Sequence, residues 1–257
     1  MKIASFNIWN SDQNYYIRMQ MLRQKLYELQ VDVIALQEVR DETLVQKLST
    51  SCDLPFYAWK KYEDCQEGIA ILSKYPISDV VTNRDATRNN HIMSATLTVD
   101  DAKWRITNVH LDWEHAHNKE FGIVEAVEMS EKVNCTYSVM LGDFNAHPIS
   151  SIHIFLSGQQ SLLGKSTRWI DLAESFARRS GTSCAITMDF FNNPRWRDDF
   201  LMDIPERYDW ILLRDLDSAT TPPIRLTDFS IFGQEEIDGI TISDHYGILC
   251  ELGGGTV

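Results

Sequence analysis

Gly142-Asp143-Phe144-Asn145 sets a carboxylate and a carboxamide two residues apart, directly after the apolar run Val139 to Leu141. Residues i and i+2 of a strand leave the same face, so a strand that carries on through Asn145 presents both groups at its end. Pro148 then stops any ladder or starts a helix. An acid and an amide side by side at the mouth of a sheet suit oxyanion, phosphate or metal chemistry. Read alone, the same residues are equally an ordinary turn, since Gly, Asp and Asn are the usual turn formers.

The rest of the chain bears on that choice. Asn7, Glu38, His110, Asp209 and the pair Asp244-His245 each directly follow or open an apolar run, as Asp143 does. Strand ends in layered sheets are where ligand sites gather, and turn chemistry alone does not account for so uniform a series. Glu38 and Asp244, helped by Asn7, offer the hard oxygen ligands that hold Mg2+ or Mn2+. The missing thiolates and the lack of close His pairs argue against zinc. His245 can carry a proton near neutral pH, and Asp209 would fix its tautomer. Asp143 could orient or deprotonate a water, while His110 and Asn145 could donate to phosphate oxygens. The sum is metal-assisted attack of water on a phosphate ester, in line with the leaving oxygen.

These groups need strands to carry them. Residues 2–8 read as an opening strand and 16–30 as a helix with Ile17, Met21, Leu22, Leu26 and Leu29 on one face. A strand over 31–39 ends in Gln37 and Glu38, and a helix follows over 41–48. Residues 56–62 and 68–72 read as paired strands that close at Ser73 to Pro76, and 91–99 with 103–110 as a hairpin. The pattern predicts a helix over 118–133 with Phe121, Val124, Ala126 and Val127 inward, and a helix and loop over 150–163. Residues 168–207 are the least readable, with a strand-like 184–187; strands over 208–213, 224–231 and 246–252 close the chain. Many short strands with a few helices predict an α/β (α+β) fold of two packed sheets flanked by helices. No linker, repeat or low-complexity tract appears, so residues 1–252 read as one domain and 253–257 as a flexible Gly-rich tail.

The 257 residues, 44% hydrophobic, suffice for a large core. Five scattered cysteines without CxxC spacing exclude a disulfide framework as the expectation. With no signal peptide and no run of membrane-spanning length, the expectation is a cytoplasmic monomer. A net charge of −13 disfavours broad, tight DNA binding, which draws its affinity from Lys and Arg.

Ser5-Phe6-Asn7-Ile8, Leu36-Gln37-Glu38-Val39, Gly68 to Pro76, Asn108-Val109-His110-Leu111, Leu141 to Asn145, Tyr208-Asp209-Trp210-Ile211 and Ser243-Asp244-His245 follow one another in the order of a known family. The chain resembles the endonuclease/exonuclease/phosphatase superfamily from Phe6 to His245. The resemblance implies a four-layer sandwich around two mixed sheets and a Mg2+-dependent phosphoesterase. It implies Glu38 on the metal with Asn7 and Asp244 beside it, Asp143 and Asn145 on water and phosphate, and Asp209 paired with His245. His110 resembles the deoxyribonuclease, sphingomyelinase and inositol-phosphatase branches. Relatives often carry an Arg and a Gln in the helix after His110; here the stretch offers Lys119 and no Arg.

The expected substrate is therefore a small, sugar or lipid phosphoester, with a nuclease as the alternative and a non-catalytic binding module as the alternative of another class. An open groove lined by Lys60, Lys61, Arg195 and Arg197 would mark a polymer substrate. His115 and His117 read as an exposed loop, and His91, His147 and His153 as structural or surface residues without a nameable partner, with approach to the substrate as the lesser alternative for His147. Asp198-Asp199 reads as surface charge.

Overall fold

The computed structural model of the chain describes every residue except 64, 84–87, 198–202, 216–220 and 255–257. Twelve strands among the described residues form two six-stranded sheets. The first holds β1 (Lys2–Asn7), β2 (Val33–Val39), β3 (Phe56–Lys61), β4 (Gly68–Ser73), β11 (Ile224–Phe232) and β12 (Gly247–Gly254), in the order β11-β12-β1-β2-β4-β3. The second holds β5 (Ile77–Thr82), β6 (His91–Val99), β7 (Ala102–His110), β8 (Tyr137–Asp143), β9 (Trp169–Asp171) and β10 (Asp209–Arg214), in the order β5-β6-β7-β8-β10-β9.

Period-two alternation sorts the side chains into layers. Ile3, Val33, Ile71, Ile106, Val139, Leu141, Ile211 and Ile248 point inward and pack the two sheets against each other. Their neighbours Ala4, Phe6, Ile34 and Leu36 face outward and are covered by Leu22 and Leu26 of α1 (Tyr15–Leu29) and Val45 and Leu48 of α2 (Glu42–Ser51). Met140 and Leu212 face the other way, under Ile123 and Val127 of α3 (Ala116–Glu131) and Ile152 and Phe155 of α4 (Ser151–Leu156). The result is the four-layer sandwich, helix, sheet, sheet, helix. Both faces of each sheet are covered, which is why the central strands are apolar runs rather than strict alternations.

The sheets are mixed, and this brings the polar strand ends together. β1 runs parallel to β2, and β7 parallel to β8, so Asn7, Glu38, His110 and Asp143 emerge at one edge. β10 is antiparallel to β8 with Asp209 opposite Asp143, so its start lies where β8 ends. β12 is antiparallel to β1, so Asp244 and His245, just ahead of it, reach that edge too.

Several expectations need correction. β5 was not anticipated: it is an edge strand whose pattern is polar and half-exposed. The strand-like 184–187 is no strand; Thr187 makes single backbone bonds with Glu206 and Tyr246, both outside the two sheets. The unreadable region also holds β9 and α5 (Leu172–Ser180), whose Leu172, Ala173, Phe176 and Ala177 lie on one face at helical spacing, a period that was not anticipated. Gly253 and Gly254, expected in the tail, pair with Arg225 and Ile224 inside the sheet. Asp198, Asp199 and Gly255 lie outside the described residues.

Candidate active site

Asp143 Oδ2 is the point on which the cluster converges. It accepts a hydrogen bond from Asn7 Nδ2 at 3.0 Å. His110 Nε2 and His245 Nε2 lie 3.8 and 3.7 Å from it. Asp143 itself is 1% exposed. Its other oxygen, Oδ1, accepts from the Asn145 backbone N–H at 2.8 Å. β8 therefore does not continue through Asn145 as expected. The chain turns there, with Asn145 at a positive φ of 47°, and the Asn145 side-chain amide donates to Leu111 O at 2.9 Å. The turn reading and the site reading both hold, each using one oxygen of the same carboxylate.

Gly142 makes this approach workable. Its φ is 140°, and a Cβ there would sit 1.9 Å from the Val109 carbonyl oxygen of the neighbouring strand.

Glu38 sits in a bulge of β2, at φ 58°, where the register with β4 shifts between Leu36 and Val39. The bulge aims Glu38 Oε1 at Asn7 Nδ2, 2.9 Å away, and Glu38 Oε2 at the Asn10 N–H, also 2.9 Å away. Asn7 was expected to offer its amide oxygen to a metal. That oxygen instead accepts from the Trp9 N–H, and the amide nitrogen holds Glu38 and Asp143 together.

Asp209 Oδ2 and His245 Nδ1 are 2.9 Å apart and buried. Thr187 Oγ1 accepts from the Tyr208 and Asp209 N–H groups, and so fixes the start of β10. Burial alone would lower the pKa of His245, but the Asp209 and Asp143 carboxylates outweigh it and hold the imidazole well above its ordinary value. Burial likewise raises Asp209, only partly offset by His245. Asp244 is pushed up to about 6 by burial, with the Glu38 carboxylate adding to the rise. A cation would ease the ionisation of the Asp244 carboxyl, and the carboxylate oxygens of Asp244 and Glu38 are the donor type that Mg2+ and Mn2+ prefer. Asp143, Asp209 and His245 also bring ligand-type atoms within 4.8 Å of one another, although the Asp209 to His245 hydrogen bond already engages one oxygen of that set.

Some contributors were not foreseen. Arg18, 1% exposed, donates to the carbonyls of Ile8, Trp9, Ser11, Gln13 and Ile242 and packs against the Trp9 ring, so it shapes the loop whose Asn10 N–H meets Glu38. Gln37 donates to Ser5 Oγ and Asn108 Oδ1, and Asn108 to the Leu36 and Ala70 carbonyls, a buried bridge between the sheets under the site. Gln37 carried a signal, an amide beside Glu38 in an otherwise apolar strand; Asn108, two residues before His110 in a strand with several polar residues, carried a weaker one. His91 stacks on Tyr62, and His153 is buried against Asp171, so neither lacks a partner. His115 and His117 are exposed, as expected, but His117 lies in the first turn of α3 rather than in a loop.

A cleft of about 640 Å3 opens beside Asn145, walled by Trp113, His147, Phe190, Trp196 and Tyr208, with Lys119 as its cation. Of the residues expected to mark a polymer groove, Arg197 is paired with Glu236, Arg195 stacks over Trp9 and Trp196, and Lys61 donates to Gln66.

A two-sheet sandwich with acids, amides and an Asp-His pair converging on one edge is the build of a phosphoester hydrolase. The chain belongs to the endonuclease/exonuclease/phosphatase family, whose model matches residues 4–245. Members of that family are phosphoester hydrolases that work with a divalent metal, and this chain is an enzyme of that class. Comparison with the curated proteins finds no match. Among solved structures, TDP2 of D. rerio, complexed with a single strand DNA product, is similar with a TM-score of 0.77 at 19% identity, over 98% of both chains. TDP2 of C. elegans gives 0.72 at 19% identity, over 97% of this chain and 73% of that one. An endonuclease/exonuclease/phosphatase from Bacteroides vulgatus gives 0.71 at 17%, over 99% and 98%. Identities this low speak for the fold. Among the described residues no helix is long and apolar enough to cross a membrane.

Proposed function

We propose that this protein hydrolyses a small phosphoester with Mg2+, water attacking phosphorus under the control of Asp143 and the Asp209-His245 pair. The observation that carries the reading is Asp143 Oδ2, within 4 Å of an amide donor and two imidazole nitrogens drawn from both sheets. Glu38 and Asp244 would hold the metal, with Asn7 orienting Glu38 rather than binding the ion itself, and a bound divalent cation would supply charge neutralisation at the phosphate and the departing oxygen.

Asp209 keeps the His245 proton on Nδ1, which leaves Nε2 facing Asp143. A water between Asp143 and His245 Nε2 gives up its proton to the Asp143 carboxylate as its oxygen bonds to phosphorus and the ester P–O bond breaks, the protonated imidazole donating from Nε2 and the departing oxygen taking a proton from solvent. The charge that develops on the phosphate oxygens meets His110 and the second N–H of the Asn145 amide, the first being bound to Leu111 O.

The pairing of Arg197 with Glu236 and the stacking of Arg195 on Trp196 favour a small ester over a long polyanion. The ring-lined cleft favours one flat or apolar group next to the phosphate. A second reading, a nuclease, draws on the same cleft, since bases stack on aromatic walls, and on the DNA product held by the similar TDP2 structure.

Bis(p-nitrophenyl) phosphate, p-nitrophenyl phosphate, a single-stranded oligonucleotide and plasmid DNA should be run side by side. EDTA should abolish turnover and Mg2+ restore it. Activity that survives chelation sinks the mechanism. Rapid plasmid cleavage without turnover of either small ester makes the nuclease reading the right one.

A further inference from the structure

His110 carries two ring nitrogens with different surroundings. Nε2 lies 3.9 Å from Glu38 Oε1 and 3.8 Å from Asp143 Oδ2, too far for a hydrogen bond to either. Nδ1 points the other way and meets the Tyr62 hydroxyl at 3.1 Å. Tyr62 follows β3 in the first sheet, whereas His110 ends β7 in the second, so the contact ties the sheets together at the site.

Tyr62 is 4% exposed, and burial pushes its pKa well up, so the phenol keeps its proton. The Glu38 backbone amide also acts on the phenol oxygen as a donor. Among the described residues, His110 Nδ1 is the side-chain acceptor that meets the phenol O–H. If Nδ1 carried the imidazole proton, the phenol proton would be buried without an acceptor, a costly arrangement. The Tyr62 ring is itself held. His91, directly opposite His110 in the β6–β7 pair, lies flat on it with centroids 3.4 Å apart and planes 10° apart. Burial, with His110 adding to it, lowers the pKa of His91 to about 3, so the stacking ring is neutral.

We propose that Tyr62 is a positioning residue for His110: its hydroxyl, donated to Nδ1, puts the imidazole proton on Nε2, which thereby becomes a hydrogen-bond donor toward the phosphate, with His91 clamping the phenol ring. The inference rests on the reading of His110 as a donor to a phosphate oxygen. It adds how the protein selects the one tautomer that can fill that role, and it gives His91 and Tyr62 a task that neither the metal nor the Asp209-His245 pair explains.

The test joins a spectrum to kinetics. A long-range 1H–15N correlation spectrum of the 15N-labelled full chain, assigned with His110→Gln, reads the tautomer directly. The wild type should show Nδ1 unprotonated and Nε2 protonated, and Tyr62→Phe should shift the signals toward a mixture. With bis(p-nitrophenyl) phosphate and Mg2+, Tyr62→Phe should lower kcat about 10-fold and leave KM nearly unchanged. Added to His110→Gln, it should cost nothing further. A protonated Nδ1 in the wild type overturns the proposal, as does an unchanged tautomer in Tyr62→Phe or a kcat loss additive with His110→Gln. Should Tyr62→Phe fold poorly, the wild-type spectrum still decides. Should the protein turn over no phosphoester, the functional reading fails while the spectrum continues to judge the tautomer.

Discussion

Asp209 and His245 meet through a buried 2.9 Å contact, and the same imidazole faces Asp143 with its other nitrogen at 3.7 Å. The three groups form a compact buried cluster, with ligand-type atoms of all three within 4.8 Å of one another. Asp209→Asn keeps the shape and removes the charge that holds His245 protonated at Nδ1. We expect kcat to fall by roughly 10^2 to 10^4-fold with either Asp209→Asn or His245→Gln, the usual range for a lost acid-base group. Circular dichroism should show the fold intact. Either variant with near wild-type kcat would remove the pair from the mechanism.

Asn145 offers an uncharged donor where a phosphate oxygen is expected. Asn145→Ala removes the donor and should lower kcat about 10^2-fold. Asn145→Asp removes it, adds a negative charge and sets a carboxylate against the Leu111 carbonyl. Asp is also among the residues most tolerant of the positive φ at this position. The Asp variant should therefore be the slower of the two while remaining folded. Equal rates for the two variants would mean that no anion approaches Asn145.

Gly142 is required for space as well as for conformation. In Gly142→Ala the new methyl would lie 1.9 Å from the Val109 carbonyl oxygen, on a backbone at φ 140°. Both the strain and the clash fall on the paired strands that carry His110 and Asp143. A loss of at least ~3 kcal/mol is expected. Urea denaturation measures it, and a loss below half that size would show that β7 and β8 can part without cost.

His91 gives the protein a distinct response to acid. Its folded-state pKa is held at about 3 by burial, below the ordinary 6.5. As pH falls from 6.5 toward 3 the unfolded chain takes up the proton first, so the contribution of His91 to stability is lost across that window. It is fully present above pH 6.5, where both states are neutral. His91→Phe keeps a ring on Tyr62 and removes the titration. The difference in unfolding free energy between wild type and variant should change by up to about 1.4 kcal/mol per pH unit below 6.5, in the variant's favour. A difference that is flat from pH 7 to 4 would mean that His91 is charged in the folded protein.

The chain's own sequence determined the layered α/β fold and the chemistry of the strand ends. Apolar runs of strand length that end in Asn7, Glu38, His110 or Asp143, or that open after Asp209 or Asp244-His245, are local facts, and local facts can be read in order. The edge strand β5 was not legible, because none of its residues is buried, whereas α5 was missed although Leu172, Ala173, Phe176 and Ala177 carry its period. Only the tertiary structure decided which atoms do what. Asn7 turns its nitrogen to the carboxylates because the Trp9 N–H claims its oxygen; Asp143 divides its two oxygens between a turn and the site; Tyr62 and His91 close around His110 from opposite sheets. These pairings join residues as far apart as Asn7 and Asp143, 136 positions in sequence. Composition and spacing give the donors and acceptors available. The register of two packed sheets sets which lone pair meets which proton.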